Sequence, residues 1–591
     1  MGRKLRTSFL YVFLLTIFFF FSFLYQRYRR QSSFSLPAIA AASFFGSPPD
    51  HHHRLLPQPI TSSLHNQAII TDENLSPRNL PPSSSSSSSS LSTVSILLPD
   101  WEVLVIVSAS DTPFATASDD YYFCLYPNKD VSPAIFAGFI RFPDRATFKC
   151  LLPERCRRKL PFPTPILTKN PSDPPPLRNL ELLRWTYVVY DSLTTEDDVI
   201  LFLKGLNNRQ GFNREPSEFN CVFFRGDDVV NGVRTTVTHS MQEVFRCQRP
   251  NLTAFTSSSS SGGEEEEEEE GIKISVETVQ DKLVVPTVAY YNRPRKLADQ
   301  SGKALLCACT MVFNVAKFLR EWVSYHSQIG IEKFILYDNG SDDDLEKAVE
   351  ELNNEGYNVK INVWLWQKTQ EAGFSHAAVY ARDSCTWMAY IDVDEFIFSP
   401  SWLDSPKPSK SMLPSLLLPD PSHNFTHPLG QISIGCHEFG PSNQTIHPVM
   451  GVTQGYNCRR HYENRHKSIV SLEAIDDSLL NVIHHFHLKT GYKTTKMNIH
   501  EMAVNHYKFQ AWPEFKAKFR RRVSAYVVDW TQQVNPKSND RTPGLGFSAV
   551  EPIGWPYKFC EVIDDGLKEL TLKWFALESP SGLKMAWQRS L

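Results

Sequence analysis

The sequence predicts an α/β domain with a largely parallel sheet, preceded by a separate all-β region. Between residues 303 and 399 the apolar periodicity alternates between strand and helix, which is typical of parallel strands joined by crossover helices. Residues 101–250 carry short runs of Val, Ile, Phe and Tyr between turn-forming residues, without a helical stripe, as in a β-sandwich. A chain of 591 residues has room for both regions.

The composition excludes several classes of protein. A hydrophobic fraction of 41% excludes a wholly disordered chain, and a net charge of -3 excludes a global basic field for nucleic acid. Eleven cysteines are too few for a disulfide-dense scaffold in a chain of this length, and they leave at least one thiol unpaired. Cys150 with Cys156, and Cys221 with Cys247, are plausible local disulfide pairs.

An N-terminal apolar segment predicts a membrane anchor. Residues 9–25 are mostly apolar and have basic residues on both sides. As a helix they would span roughly 26 Å, enough for a thin bilayer. We therefore expect a single-pass type II protein with a cytosolic tail at 1–8 and a luminal remainder. The alternative is a cleaved signal peptide, because Ala38-Ile39-Ala40 resembles a cleavage site.

Two biased segments separate the ordered regions. Residues 26–95 are rich in Ser and Pro and predict a disordered stem, and residues 251–271 form a Ser/Gly/Glu linker. The resulting arrangement is a β-sandwich module at 96–250 and a catalytic domain at 272–591. Five sequons for N-glycosylation agree weakly with a secretory lumen: Asn74, Asn251, Asn339, Asn424 and Asn443.

The β-module prediction rests on six short apolar runs, and the α/β prediction on four strands and three helices. Aromatic residues of the module could form a sugar-stacking face, although core packing is the simpler interpretation. The six runs are 101–107, 121–126, 135–142, 185–190, 199–203 and 221–224. The α/β strands are 304–311, 333–337, 359–366 and 387–391, and the helices are 314–328, 344–354 and 374–385.

Polar residues follow three of the four α/β strands. They are Asn314, the turn at 338–341 and the acidic run at 392–395. In an open α/β sheet, ligands bind outside the carboxyl ends of the strands. These residues are therefore expected to lie at one edge of the sheet.

The clearest metal-binding motif is Asp392-Val393-Asp394 at the end of an apolar strand. Two carboxylates at this spacing can face one Mn²⁺ or Mg²⁺ ion, which neutralises charge on a departing diphosphate. Asp-x-Asp alone is weak, since it occurs by chance and again at Asp342 and Asp344, where helix capping explains it. Its position after a buried strand favours the metal interpretation.

A series of motifs follows in a specific order along the chain: 309–314, Glu321-Trp322, Tyr325-His326, Gly330, Phe334, 337–341 and 392–396. With these motifs in this order, the chain resembles glycosyltransferase family 92 over roughly residues 300–510. The resemblance implies a GT-A-type, Rossmann-like fold, UDP-galactose as donor, an inverting Mn²⁺-dependent transfer and a Golgi membrane location. It also implies a carbohydrate-binding-like β module before the catalytic domain, and dimers in some members, so a homodimer is one expected partner.

The resemblance assigns roles around the donor. Asp392 and Asp394 would hold the cation and the diphosphate. Asp338 would contact the ribose or uracil, although a turn-forming role is an equal alternative. Asn314 would contact the nucleotide, or cap the following helix. Lys467 matches a Lys-Ser of the family and would meet a phosphate.

An inverting transfer needs a base for the acceptor hydroxyl. Glu438 is our candidate because it precedes a Phe-Gly that matches the family, and Asp476 and Asp477 are rivals.

Many GT-A enzymes complete the metal shell with a histidine far downstream of Asp-x-Asp. His487 is our candidate for this ligand, and His484, His485 and His506 compete with it.

Three functions remain open at this point. The leading one is a Golgi hexosyltransferase that moves galactose from UDP-galactose to a cell-wall or glycoprotein glycan. The second is a non-catalytic glycan-binding or scaffold relative, which the intact Asp-x-Asp disfavours. The third is a sugar nucleotidyltransferase, which a luminal anchor and the absence of the expected Gly-rich phosphate loop disfavour.

Overall fold

A computed structural model of the chain describes residues 91–116, 121–158, 160–176, 180–208, 212–251, 271–292, 302–417, 427–482, 484–518, 544–545, 548–580 and 582–588. The predicted anchor at 9–25, nearly all of the stem and most of the linker lie outside these ranges. Within them, no helix combines the length and the apolar character needed to cross a bilayer.

The N-terminal part of the described chain is all-β, as predicted, and it carries two sheets. The first has the strand order β6-β3-β4-β5-β2-β1-β7, with antiparallel pairs except between β1 and β7. One short helix, α1 (Thr112–Thr116), lies between β2 and β3 in the sequence. Its strands are β1 (Thr93–Leu97), β2 (Glu102–Val107), β3 (Tyr122–Leu125), β4 (Val131–Ile140), β5 (Arg145–Leu151), β6 (Ile166–Thr168) and β7 (Leu183–Arg184).

The second sheet is antiparallel, with the order β13-β10-β11-β12-β9-β8. Its last strand corrects the predicted domain boundary, because residues 272–278 pair with β10 over seven residues and do not begin the catalytic domain. The β region therefore extends to about residue 292. The strands are β8 (Val188–Thr194), β9 (Asp198–Lys204), β10 (Phe219–Arg225), β11 (Val233–Met241), β12 (Val244–Gln248) and β13 (Ile272–Thr278).

The third sheet begins with the predicted strand–helix alternation. Its first four strands are parallel and lie in the order β16-β15-β14-β17, so the order reverses between β14 and β17. This is the topology of a Rossmann-like half. The elements are β14 (Ala304–Val312), α2 (Ala316–Gln328), β15 (Lys333–Asp338), α3 (Leu345–Asn354), β16 (Val359–Val363), α4 (Gln370–Tyr380) and β17 (Cys385–Tyr390).

Beyond β17 the sheet becomes mixed. Strand β21 lies antiparallel to both β17 and β19, and β25 joins β19 to β18. Helix α4 begins four residues earlier than the predicted 374. The further strands of this sheet are β18 (Glu395–Phe398), β19 (Leu429–Glu438), β21 (His466–Ser471), β24 (Lys493–Lys496) and β25 (Ala503–His506).

Small elements complete the described part of the chain. Four antiparallel two-stranded pairs are β20 (Cys458–Arg459) with β28 (Val562–Ile563), β22 (Asn481–Val482) with β23 (His485–Phe486), β26 (Gly544–Leu545) with β27 (Ser548–Ala549) and β29 (Ala576–Ser579) with β30 (Gly582–Met585). The further α-helices are α5 (Val452–Gly455), α6 (Trp512–Ala517) and α7 (Gly566–Phe575). Short 3₁₀ helices are Pro99–Trp101, Glu154–Arg158, Pro216–Glu218, Pro400–Asp404, Pro414–Leu417 and Trp555–Tyr557.

Alternation along the strands gives the third sheet two buried faces. Leu306 and Ala308 of β14 join a core that includes α2 and α3. Cys307 and Cys309 join a second core on the opposite face. This second core contains Leu104 of the first sheet, together with residues of the second sheet and of α4. The β region is thus packed onto the third sheet and is not an isolated sandwich.

Four disulfides lie within the described residues. The predicted pair Cys221–Cys247 is confirmed, but the Cys150–Cys156 prediction is wrong. Cys150 instead bonds Cys124, and both side chains lie in the same hydrophobic core. Cys156, Cys309 and Cys436 are buried free thiols. The bonds are Cys124–Cys150, Cys221–Cys247, Cys307–Cys385 and Cys458–Cys560.

A buried histidine in the shared core predicts an acid-dependent loss of stability. His376 of α4 lies with its Nδ1 2.7 Å from the Tyr337 hydroxyl, and burial lowers its pKa to about 3. The unfolded chain takes up this proton near pH 6.5 and the folded chain does not. Stability is therefore present above pH 6.5 and falls by about 1.4 kcal/mol per pH unit below it.

Replacing His376 by Phe should remove that share of the pH dependence, which urea unfolding at pH 7, 6 and 5 would measure. The same substitution at the exposed His427 should leave the dependence unchanged. An equal slope in wild type and His376→Phe would contradict the prediction.

Candidate active site

The carboxyl ends of β14, β15 and β17 bring the predicted polar residues to one edge of the third sheet. Asn314 follows β14 by two residues, Asp338 ends β15, and Asp392 follows β17 by two residues. Strand β14 lies between β15 and β17, where the strand order reverses. Ligands bind at such a switch point in open α/β sheets. The prediction that these residues share an edge is confirmed.

An acidic cluster with one histidine lies at this edge. Oxygens of Asp394 and Glu395 and a ring nitrogen of His506 all lie within 4.8 Å of one another. The Nε2 atom of His506 is 3.8 Å from Asp394 Oδ1, and its Nδ1 atom is 3.4 Å from Glu395 Oε1. The antiparallel pairing of β18 with β25 places Glu395 directly opposite His506, so strand register creates the cluster.

Burial sets the charge state of the cluster. It raises the pKa of Glu395 to about 8 and lowers the pKa of His506 to about 3. A neutral imidazole is the form that binds a metal ion. Without a cation, Glu395 therefore keeps its proton at neutral pH, and a bound cation would favour its ionised form.

Asp392 is the second acidic position of the edge, and a lysine neutralises it. The Lys467 Nζ atom lies 2.9 Å from Asp392 Oδ2 and 2.7 Å from Glu395 Oε1. Although burial opposes its ionisation, the Lys467 ammonium holds the pKa of Asp392 below its usual range. The Asp392 backbone N–H donates to Glu395 Oε2 at 2.8 Å, and Gln370 at the start of α4 donates to Oδ1 at 3.3 Å. His484 Nε2 lies 3.6 Å from Oδ2.

The residues present fit a divalent cation. Three carboxylates, Asp392, Asp394 and Glu395, face two lysines, Lys467 and Lys518, the latter with Nζ 3.0 Å from Asp394 Oδ2. With Glu395 protonated the two lysines balance the two aspartates, and the loss of that proton on cation binding gives these five side chains a net negative charge. Carboxylate oxygens are the ligands that Mn²⁺ and Mg²⁺ prefer, and an imidazole nitrogen is compatible with Mn²⁺.

His487, our candidate for the histidine ligand, does not join this cluster. Its side chain is exposed, with Nδ1 3.9 Å from Asp476 Oδ1. His484 instead lies with Nε2 near Asp392, and His487 follows the buried Phe486 to the surface. The competing candidate His506 is the histidine that the structure brings to Asp394. The sequence did not indicate Glu395 as a possible ligand, because the Asp-x-Asp motif points only to its two alternate carboxylates.

The turn after β15 forms a second, neighbouring group of polar residues. Asp338 Oδ1 accepts hydrogen bonds from the Ser341 backbone N–H at 3.0 Å and hydroxyl at 2.6 Å. Asn314 has a left-handed backbone with φ of 52°, and its N–H donates to Ser341 Oγ at 2.9 Å. Both residues thus shape the turn. For Asp338 this is the turn-forming role that the sequence left open beside a contact to the nucleotide. The Asn339 amide is buried and donates to two backbone carbonyls, so it is no glycosylation site in this fold.

Glu438 ends β19 beside the acidic cluster. It pairs with His506 in the β-ladder and is fully buried. Lys508 Nζ contacts its Oε1 atom, and Arg460 lies 3.5 Å from its Oε2 atom. Although burial opposes its ionisation, Lys508 holds the pKa of Glu438 below its usual value. The residue is thus ionised, as a base must be, while the ion pairs reduce its basicity. Its role as base stays a prediction.

The rival carboxylates lie elsewhere. Asp476 contacts the exposed His487, and Asp477 lies 3.5 Å from Arg246 of the second sheet. Of the three carboxylates considered, Glu438 is the one whose strand neighbour belongs to the acidic cluster.

Comparison with known proteins gives one family. The family model of glycosyltransferase family 92 matches residues 303–542. A family 92 protein of Arabidopsis thaliana is 41% identical over 416 residues, covering 68% of this chain and 69% of its own. One of Ricinus communis is 37% identical over 517 residues, covering 84% and 85%. One of Oryza sativa subsp. japonica is 40% identical over 407 residues, covering 66% and 67%.

Solved structures give weak likenesses only. A mannosyltransferase from Pyrobaculum calidifontis, in complex with GDP-Man and Mn²⁺, has a TM-score of 0.24 at 11% identity, covering 48% of this chain and 73% of its own. A glucosyl-3-phosphoglycerate synthase from Mycobacterium tuberculosis has a TM-score of 0.17 at 14% identity, covering 31% and 64%. Because both scores are low, the fold assignment rests on the sheet topology instead.

Proposed function

Because this chain belongs to glycosyltransferase family 92, we propose that it transfers galactose from UDP-galactose, with inversion, to a cell-wall or glycoprotein glycan. The observation that carries the proposal is the buried cluster of Asp394, Glu395 and His506 at the carboxyl edge of the parallel strands. A nucleotide-diphosphate donor needs such a negatively charged site, since its phosphates bind through a divalent cation.

The proposed roles follow from the contacts. Asp394, Glu395 and His506 would hold Mn²⁺ or Mg²⁺, and Asp392 would complete the site next to Lys467. When bound there, the cation supplies charge neutralisation for the leaving diphosphate.

Lys467 adds a fixed positive charge that is buried, so its electrostatic effect is screened little by solvent. The Gln370 amide orients the Asp392 carboxylate, and the Asp392 backbone N–H orients the carboxylate of Glu395. Glu438 would accept the proton of the acceptor hydroxyl as that oxygen attacks the anomeric carbon, which inverts the configuration.

We further propose a Golgi location with residues 9–25 as a membrane anchor and the catalytic domain in the lumen. Four disulfides support this proposal, because such bonds persist in oxidising compartments and are rare in the cytosol. The sequons support it as well, apart from the buried Asn339.

A donor screen with metal removal tests the proposed activity. The full-length protein is incubated with Mn²⁺ and with UDP-galactose, UDP-glucose, UDP-arabinopyranose or UDP-xylose, and released UDP is measured. We expect UDP-galactose to give the highest rate. Chelation with EDTA should abolish that rate, and added Mn²⁺ should restore it, because the cluster needs a cation to bind diphosphate.

As a control, excess Ca²⁺ is added after EDTA. It should not restore the rate, because Ca²⁺ prefers more oxygen ligands at longer distances than this cluster offers. Turnover that resists EDTA would contradict the metal role. Preference for another sugar would contradict the donor assignment, and the absence of turnover with every donor would favour a non-catalytic relative.

A further inference from the structure

The first β sheet contacts the third sheet at the end of β16, the edge strand of the third sheet. At Gly138 of β4 the backbone is left-handed, with φ of 92°, and a Cβ atom there would lie 3.0 Å from a methyl group of Val363. Thr147 of β5 donates to the Gly138 carbonyl at 2.7 Å and holds this close approach. Val363 is the strand partner of Asp338. The β4–β5 pair therefore packs beside the turn that follows β15.

A lysine of β5 contacts this turn directly. Lys149 Nζ donates to the Gly340 carbonyl at 3.1 Å. Gly340 has φ of 79°, and a Cβ atom there would lie 2.1 Å from Lys149 Nζ and 3.2 Å from the Leu365 side chain. The backbone conformation favours glycine, and a side chain there would push the Lys149 ammonium away from the turn. The turn is thus held between a residue of the β region and a residue of the catalytic domain.

Asp338, Asn339 and Ser341 of the turn are held by hydrogen bonds within the domain that carries the third sheet. Asp338 accepts two hydrogen bonds from Ser341, and Asn314 N–H donates to the Ser341 hydroxyl. The Asn339 amide donates to the carbonyls of Trp364 and Trp366, at 2.7 and 3.0 Å. Gly340 lies between these anchors, and its carbonyl is the group that Lys149 binds. The conformation of the turn therefore depends on both regions of the chain.

We infer that Lys149 is a positioning residue for the donor nucleotide, acting through the turn at 338–341, and that the first β sheet is thereby part of the donor site. This inference rests on the proposed function, in which Asp338 contacts the ribose or uracil. A cationic hydrogen bond that fixes a ligand-contacting turn lowers the conformational cost of binding. It does not touch the reacting atoms, so it affects nucleotide affinity and not the chemical step.

The test compares Lys149→Met with Lys149→Arg in the full-length protein, using UDP with Mn²⁺ as the calorimetric probe. We expect Lys149→Met to raise the Kd for UDP and the KM for UDP-galactose about five- to tenfold and to change kcat by less than about twofold. Lys149→Arg should restore most of the affinity. The control Lys273→Met, which removes a lysine paired with Asp227 at the surface of the second sheet, should change neither constant.

If Lys149→Met does not fold, Lys149→Gln provides the second variant, since its amide removes the cationic donor and keeps most of the side-chain length. Unchanged Kd in a folded Lys149→Met or Lys149→Gln protein would overturn the inference, as would equal losses in KM and kcat. Wild-type protein that binds no UDP would instead overturn the proposed function, so the two failures are distinct.

Discussion

Replacing Asp394 by Asn should lower kcat by about a thousandfold or more, because the site loses a carboxylate metal ligand while its volume is kept. Asp394 also contacts Lys518 at 3.0 Å, and the neutral amide would leave that lysine without its counter-charge. Initial rates of UDP release at saturating donor and Mn²⁺ measure the effect.

The matched control for Asp394 is Asp383→Asn. Asp383 is exposed and lies just before β17, at the opposite end of the same strand from the acidic motif. Its substitution should leave the rate within about twofold of wild type, as expected for a surface change. A folded Asp394→Asn protein with more than a tenth of the wild-type rate would exclude a direct role of this carboxylate in binding the cation.

Replacing Lys467 by Met should destabilise the metal-free protein by about 3–5 kcal/mol, since breaking a buried ion pair leaves uncompensated charge. Lys467 is only 5% exposed, and it neutralises both Asp392 and Glu395. A bound cation would supply the missing charge. We therefore expect Mn²⁺ to raise the thermal unfolding midpoint of Lys467→Met more than that of wild type.

Thermal unfolding of both proteins in EDTA and in Mn²⁺ measures this difference. Lys496→Met is the control, because Lys496 of β24 is exposed and its Nζ atom forms an ion pair with Glu463 Oε1 at 3.1 Å. Its midpoint should change little in either buffer. An equal Mn²⁺ response in wild type and Lys467→Met would show that the cation and the lysine do not share the carboxylates.

Much of the parallel half of the third sheet could be predicted because its order is local. Each strand is followed by a helix that returns the chain to the same edge, so consecutive residues determine both the periodicity and the position of the polar ends. Asn314, Asp338 and Asp392 were placed correctly for this reason. The ends of helices were less accurate: α4 spans Gln370–Tyr380, whereas the periodicity predicts 374–385.

The rest of the site depends on pairing between distant segments. His506 reaches Asp394 only because β25 pairs with β18 across more than a hundred residues of sequence. Nothing in the local pattern distinguishes His506 from His487, since both follow short apolar runs. Strand β13 posed the same difficulty: its partner β10 precedes it by about fifty residues, across a Ser/Gly/Glu segment that resembles an interdomain linker.

The pairing of β13 with β10 changes what a break in the chain would do. Strands β12 and β13 belong to one sheet, so the acidic segment between them connects two parts of a single folding unit. Cleavage by a protease within 252–270 would leave two fragments held together by seven paired residues and a shared core. A truncated protein that starts at residue 272 would instead expose an orphaned apolar strand, which is a template for aggregation. Expression of the catalytic region therefore has to retain the β region as well.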